Sequence, residues 1–241
     1  MDYIYGRNAC ISSLKGERKP SKVLMINNLK GSEIDSLCKK NKVKVEFVDS
    51  KLLDKITSNK NHQGVLGYVE EFKYAELDPL LRKIDSKKNP LLLILDGIED
   101  PVNFGSIIRT ASCFGVDGII ILKDRQVQVT PVVSKVSTGA TEFIPIVRVT
   151  NLNVTIEKLK KDGYWIVATD GSGDRYYDEV DYNGKIAVII GSEGRGASKL
   201  VLKNSDFVVR IPISGPITSL NASIANAIVL AQIEKYRREH K

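Results

Sequence analysis

The sequence predicts an α/β protein in two parts: a small basic α/β module, then a larger one built on a parallel sheet. Three observations carry the prediction. Short apolar runs recur along residues 91–211 with helical patterns between them, as strands buried on both faces require. The positive charge is lopsided: residues 1–89 hold 18 Lys and Arg against 12 Asp and Glu, and residues 90–241 hold 18 against 17. Between these regions lies a polar stretch ending in Ser86, Lys87, Lys88, Asn89 and Pro90. Domains over 1–75 and 91–241, joined by a linker over 76–90, are the expected organisation.

The first module opens on Tyr3, Ile4, Tyr5 and Gly6, with a short helix over 9–14 and a strand over 22–26. Ser32 is the predicted N-cap of a helix over 33–40, with Asp35 three positions on. Val43, Val45 and Phe47 alternate with Lys42, Lys44 and Glu46, which predicts a half-buried strand over 43–48. A further strand is predicted over 65–69 and a helix over 77–84. In the second module strands are predicted over 91–95, 118–122, 144–149, 164–169, 186–190 and 207–211. Helices are predicted over 102–114, 132–138, 152–161 and 197–204, and a long one over 220–238 closes the chain.

Composition excludes several classes. The longest apolar stretches, 90–95 and 225–231, fall far short of the ~18 residues of a membrane span. Asp2, Arg7, Lys15, Glu17 and Arg18 leave no signal-peptide core. Three cysteines without a CxxC argue against a disulfide framework and a metal (zinc) site, and suit a reducing cytoplasm. The two histidines are His62 and His240, and His62 lies in the basic module, so a Ser-His-Asp or Cys-His engine is not expected. A basic module points to a polyanion; a solvated lysine-rich surface is the plainer reading.

Ligands of α/β sheets gather beyond the carboxyl ends of the strands, and three predicted strands are followed by unusual clusters. After 91–95 comes Asp96, then Pro101, a good first-turn residue, Asn103 near the helix start and Arg109 six positions on. Arg109 stands among Ile107, Ile108, Ala111, Cys113 and Phe114, so it needs an anion, or a carboxylate such as Asp96 or Asp100. After 186–190 come Gly191, Ser192, Glu193, Gly194, Arg195 and Gly196. The glycines permit close backbone approach, but no Gly-Lys-Ser/Thr and no GxGxxG spacing is present, so Walker and dinucleotide loops are excluded. A tight strand–helix turn is the bland alternative. After 207–211 come Ser219, a natural N-cap, then Asn221 and Ser223. Taken alone, that cluster is better read as ordinary capping plus a small-residue helix face.

In this order the clusters resemble the three motifs of the SpoU (TrmH-type) RNA ribose 2′-O-methyltransferases of the SPOUT superfamily. Asn103 through Arg109, Thr110 and Ala111 match the first, and Gly191 through Gly196 the second. Ile211, Pro212 and Ile213 with Ser219, Leu220, Asn221, Ala222 and Ser223 match the third. The resemblance covers about residues 91–238. Tyr5, Gly6, Arg7, Asn8 and Ala9, with His62, Gln63, Gly64 and Val65, resemble the opening and closing signatures of the accessory domain in the RlmB-like subgroup. That domain is similar to a ribosomal-protein RNA-binding fold. One departure is Ala222, Ser223 and Ile224, where Val-Ser-Val is common; the polar residue is kept.

The resemblance implies a deep trefoil knot in the second domain, a homodimer and S-adenosylmethionine as cofactor. It assigns Thr169, Gly171, Gly191, Ile211 and Leu220 to the cofactor, and Arg109, Asn103, Glu193, Ser219 and Asn221 to catalysis. The implied reaction is methylation of a ribose 2′-hydroxyl, first of a guanosine in large-subunit (23S) ribosomal RNA, with transfer RNA as another substrate. Because a guanidinium stays protonated, Arg109 is expected to bind the ribose-adjacent phosphate and stabilise alkoxide charge. Two other classes compete: a non-catalytic RNA-binding ribosome-assembly protein with the same fold, and a nucleotide-binding α/β enzyme.

Overall fold

A computed structural model describes residues 2–240, so residues 1 and 241 of the two predicted domains lie outside the described range. The chain forms two compact units. One gathers Met1–Lys73 with Val129–Phe143; the other gathers Tyr74–Gln128 with Ile144–Lys241.

The first unit begins with β1 (Asp2–Tyr5), α1 (Arg7–Lys15), β2 (Lys22–Met25), α2 (Glu33–Lys40), β3 (Lys44–Phe47), α3 (Ser50–Thr57) and β4 (Val65–Val69). Its sheet has the order β1-β4-β2-β3, with β4 antiparallel to β1 and β2 and β3 parallel to β2. The alternating run at 43–48 is an edge strand rather than a half-buried one: Val45 is only partly covered and Phe47 remains 38% exposed. Ser32 stands at the N-cap of α2 without a capping bond from its side chain. Asp35 instead accepts the Gly31 N–H at 2.8 Å. α3 escaped the sequence reading, although Asp49 is a good cap and accepts the Lys51 N–H at 2.9 Å. Ile4, Leu14, Val23, Met25, Cys10 and Cys38 share the core. Burial pushes the Cys10 thiol up to about 12 and Cys38 to about 11, so both act as small apolar groups. His62 is structural: its Nδ1 accepts the Gly64 N–H and its Nε2 lies 3.0 Å from Asp54 Oδ1.

The second unit holds α4 (Leu77–Ile84), β5 (Leu91–Asp96), α5 (Pro101–Cys113) and β6 (Gly118–Leu122). The chain then contributes α6 (Pro131–Val136) to the first unit. There Ser12 Oγ donates to the Thr138 carbonyl at 3.1 Å, and Arg18 pairs with Glu142 at 2.8 Å, both side chains well buried. Gly139, at φ +81, lies so close to Ser12 that an added Cβ would overlap that side chain.

The second unit resumes with β7 (Ile146–Val149), α7 (Leu152–Lys161), β8 (Trp165–Thr169), β9 (Arg175–Tyr176), β10 (Ile186–Gly191), α8 (Lys199–Asn204), β11 (Phe207–Arg210) and α9 (Ala222–Glu239). The strand order is β7-β6-β5-β10-β8-β11-β9, and every pair is parallel. Leu92 through Leu95 are fully buried, as a two-sided parallel sheet demands. Leu92, Ile94, Ile166 and Ile189 share one cluster with α4 and α7 residues. α5 packs against α9. β9, two residues long, carries no period and was not foreseen. The order of strands reverses between β5 and β10: β6 and β7 follow on one side of β5, and β10 lies on the other. A crevice at the carboxyl ends of those two strands is therefore expected.

Candidate active site

Three loops converge at that crevice. β5 ends in Asp96, and Asp100 caps α5 by accepting the Asn103 N–H at 2.6 Å, with Pro101 in the first turn. This fixes Asn103 at the start of the helix. β10 ends in Gly191, where an added Cβ would collide with the backbone of Gly196 and Ala197. The loop closes on itself: Ser192 N–H donates to the Gly196 carbonyl at 3.1 Å, and Gly196 N–H returns to Ser192 at 2.9 Å. Gly196 lies at φ +66, and a side chain there would strike Asp170 Oδ2. Asp96 Oδ2 accepts the Ser198 N–H at 2.8 Å and ties the first loop to the second. Beyond β11 an irregular stretch leads to Asn221, the N-cap of α9.

The expected N-cap Ser219 is therefore replaced by Asn221. The helix starts later than the pattern predicts, at Ala222, and Asn221 Oδ1 accepts both the N–H and the hydroxyl of Ser223, at 2.9 and 2.6 Å. Its amide nitrogen turns the other way and donates to Asn103 Oδ1 at 2.9 Å and to Glu193 Oε2 at 3.2 Å. Asn103 Nδ2 reaches the same Glu193 oxygen at 3.4 Å. One residue from each cluster thus enters a single network. A carboxylate that accepts two amides keeps both asparagines oriented.

Thr169, Gly171, Gly191, Ile211 and Leu220 all line one cleft of about 360 Å³, together with Glu193 and Ser219. The Thr169 hydroxyl is buried there with no hydrogen-bond partner among the described residues. The glycine cradle, the orphan hydroxyl and the isoleucines Ile190 and Ile211 suit a compact molecule with both polar and apolar parts, which S-adenosylmethionine is.

Arg109 departs from the expectation. Phe104, Ile107, Ile108 and Ala111 form the buried face of α5, and Arg109 falls off that face and is exposed. Among the described residues it makes no ion pair, and it lines no part of the cleft. Neither Asp96 nor Asp100 holds it, since both carboxylates accept backbone N–H groups of the loops. Asp96 and Asp100 were missed as organisers of the site, although Asp100 directly before a proline is a readable cap signal.

No helix among the described residues is long and apolar enough to cross a membrane, and no cluster of metal-ligating side chains is found among them. A family model described as the SpoU rRNA methylase family matches residues 90–231, and one for RNA 2′-O ribose methyltransferase substrate binding matches residues 3–75. YacO of Bacillus subtilis (strain 168), a protein named for the TrmH family of tRNA/rRNA methyltransferases, is 43% identical over 240 residues, covering 98% of this chain and 96% of its own. A protein of Staphylococcus saprophyticus named for the same family is 41% identical over 238 residues, covering 97% and 95%. The AdoMet-bound rRNA methyltransferase from Sinorhizobium meliloti superposes with a TM-score of 0.81 at 26% identity, covering 98% of this chain and 87% of that one. The SpoU methyltransferase AviRb from Streptomyces viridochromogenes, solved with AdoMet, shares the fold with a TM-score of 0.82 at 24% identity, covering 98% and 90%. The chain thus belongs to the SpoU/TrmH methyltransferases of the SPOUT superfamily, RNA-directed enzymes whose cofactor is S-adenosylmethionine.

Proposed function

We propose that this protein methylates the ribose 2′-hydroxyl of a guanosine in large-subunit (23S) ribosomal RNA. The observation that carries the reading is the Asn103–Glu193–Asn221 network, one residue from each of the three clusters, whose Glu193 also lines the cleft. S-adenosylmethionine supplies an electrophilic sulfonium methyl group when bound. Thr169, Gly171, Gly191, Ile211 and Leu220 would hold it, largely through backbone groups, and the unpartnered Thr169 hydroxyl would be available to it. Asn103, Glu193, Ser219 and Asn221 orient the nucleotide, and Arg109 contributes a permanent cation from the solvent face of α5. It binds the phosphate next to the ribose and stabilises the negative charge that develops on the 2′-oxygen. Alignment alone supplies several kcal/mol of the rate.

The same reading includes three structural expectations: a trefoil knot threaded by α9, a homodimer, and residues 1–75 as the RNA-docking module, the whole acting in the cytoplasm. Exposed Val102 on α5 and Ile224 on α9 support the dimer, being large apolar side chains on two helices that already touch. The deciding experiment maps 2′-O-methyl groups in total RNA from cells with and without the gene. Loss of a single site in 23S RNA is the expected result. Loss of a site in transfer RNA would move the substrate, and an unchanged map would favour an RNA-binding protein without catalysis.

A further inference from the structure

A second cavity, of about 600 Å³, adjoins the cofactor cleft and shares Ser192, Glu193, Arg195, Gly196 and Ala222 with it. It opens beyond the carboxyl ends of β5, β6 and β7, and its size falls within the range of small-molecule sites. Its polar lining is selective in what it leaves free. Of four lining carboxylates, Asp96, Asp100 and Glu193 already accept hydrogen bonds from this chain. Glu99 makes no hydrogen bond or ion pair among the described residues. Of the two lining arginines, Arg125 belongs to this cavity alone, and it too has no partner among the described residues. Its backbone is held at φ +56, in the left-handed region that a non-glycine side chain seldom occupies. Asn151 spends its oxygen on capping α7, at 2.9 Å to the Asn153 N–H, and keeps its amide donors for the cavity.

Among the described residues, Glu99 is the one lining carboxylate with both oxygens free, and it shares the cavity with the free donors of Arg125 and Asn151. Guanine offers adjacent N1–H and N2–H₂ donors to a carboxylate, and O6 and N7 acceptors to an arginine. Adenine turns an acceptor, N1, toward the carboxylate, which repels it. Uracil and cytosine have no O6/N7 pair. We propose that this cavity seats the base of the target nucleotide and selects guanine, Glu99 reading its Watson–Crick edge and Arg125 its O6 and N7. The proposal rests on the 2′-O-methyltransferase reading and adds to it the residues that choose the base.

The test uses full-length protein and total RNA from cells lacking the gene, digested to nucleosides after methylation and analysed by mass spectrometry. Wild type is expected to yield 2′-O-methylguanosine. Glu99→Gln and Arg125→Ala should each lower that yield tenfold to a hundredfold, the discrimination one bidentate base contact supplies. Both should bind S-adenosylmethionine within twofold of wild type, since neither residue lines its cleft. Glu99→Asp, which keeps the carboxylate, should retain more product than Glu99→Gln. Wild-type product formation by both variants would overturn the base-reading role and leave the methyltransferase reading intact. A methylated nucleoside other than guanosine would do the same. Absence of any 2′-O-methyl product from wild-type protein that binds cofactor would defeat both.

Discussion

At the scale of single residues, Arg109 separates a catalytic from a structural account. Its guanidinium is exposed and makes no ion pair among the described residues, so its removal costs the fold little. Arg109→Ala and Arg109→Lys should both melt within ~1 °C of wild type and bind S-adenosylmethionine normally. Single-turnover methyl transfer should fall about 100-fold or more in each, the loss typical of removing one preorganised donor. Lysine keeps the charge but not the planar fork. Transfer near the wild-type rate by the lysine variant would falsify the geometric role. Asn221 should behave differently, because it both caps α9 and orients Glu193. Asn221→Ala should cost ~1 kcal/mol of stability, read as ~2–4 °C in melting temperature, as well as activity. If Asn221→Ser regains the melting temperature without the activity, the two jobs separate.

At the scale of elements, the glycine loop after β10 makes the clearest prediction. Gly191→Ala places a methyl group into the Gly196–Ala197 backbone, which has nowhere to retreat inside a self-closed turn. Calorimetric titration should show S-adenosylmethionine binding weakened about tenfold or more; unchanged affinity would mean that the loop is not the cradle. This loop also shows what sequence reveals and what it hides. Runs such as 91–95 and 186–190 disclosed their strands because two-sided burial permits only apolar residues. The three clusters were legible because glycine, asparagine and carboxylate at strand ends have few purely local uses. Which way Arg109 faces was not legible, since Ile107 and Ile108 directly precede it in sequence while a helix turns each successive residue by about 100°. The start of α9 was misplaced for a related reason: Ser219 and Asn221 are both good caps, and long-range bonds to Asn103 and Glu193 decide between them. β9 gave no signal, being two residues defined as a strand by long-range pairing with β11.

At the scale of the whole molecule, the excess charge of residues 1–89 predicts a steep salt dependence of RNA binding. Lys19 and Lys60 are exposed in the first unit and make no salt bridge among the described residues. Replacing both with alanine should flatten the slope of log K against log salt by up to about 1.4, near 0.7 for each lost contact to single-stranded RNA. An unchanged slope would take these lysines off the RNA path. The Arg18–Glu142 pair makes a separate prediction: Glu142→Ala strands a largely buried guanidinium and should cost ~3 kcal/mol, seen as a lower melting temperature. That pair lies within a unit assembled from two separate stretches of chain, Met1–Lys73 and Val129–Phe143. In evolutionary terms the RNA-docking module is not a detachable cassette. A recombination event at residue 75 alone would carry off Arg18 and Ser12 and leave Glu142 and Thr138 facing a foreign surface. Exchange of this unit between relatives therefore needs two coordinated crossovers, or drift by point substitution within an undivided chain.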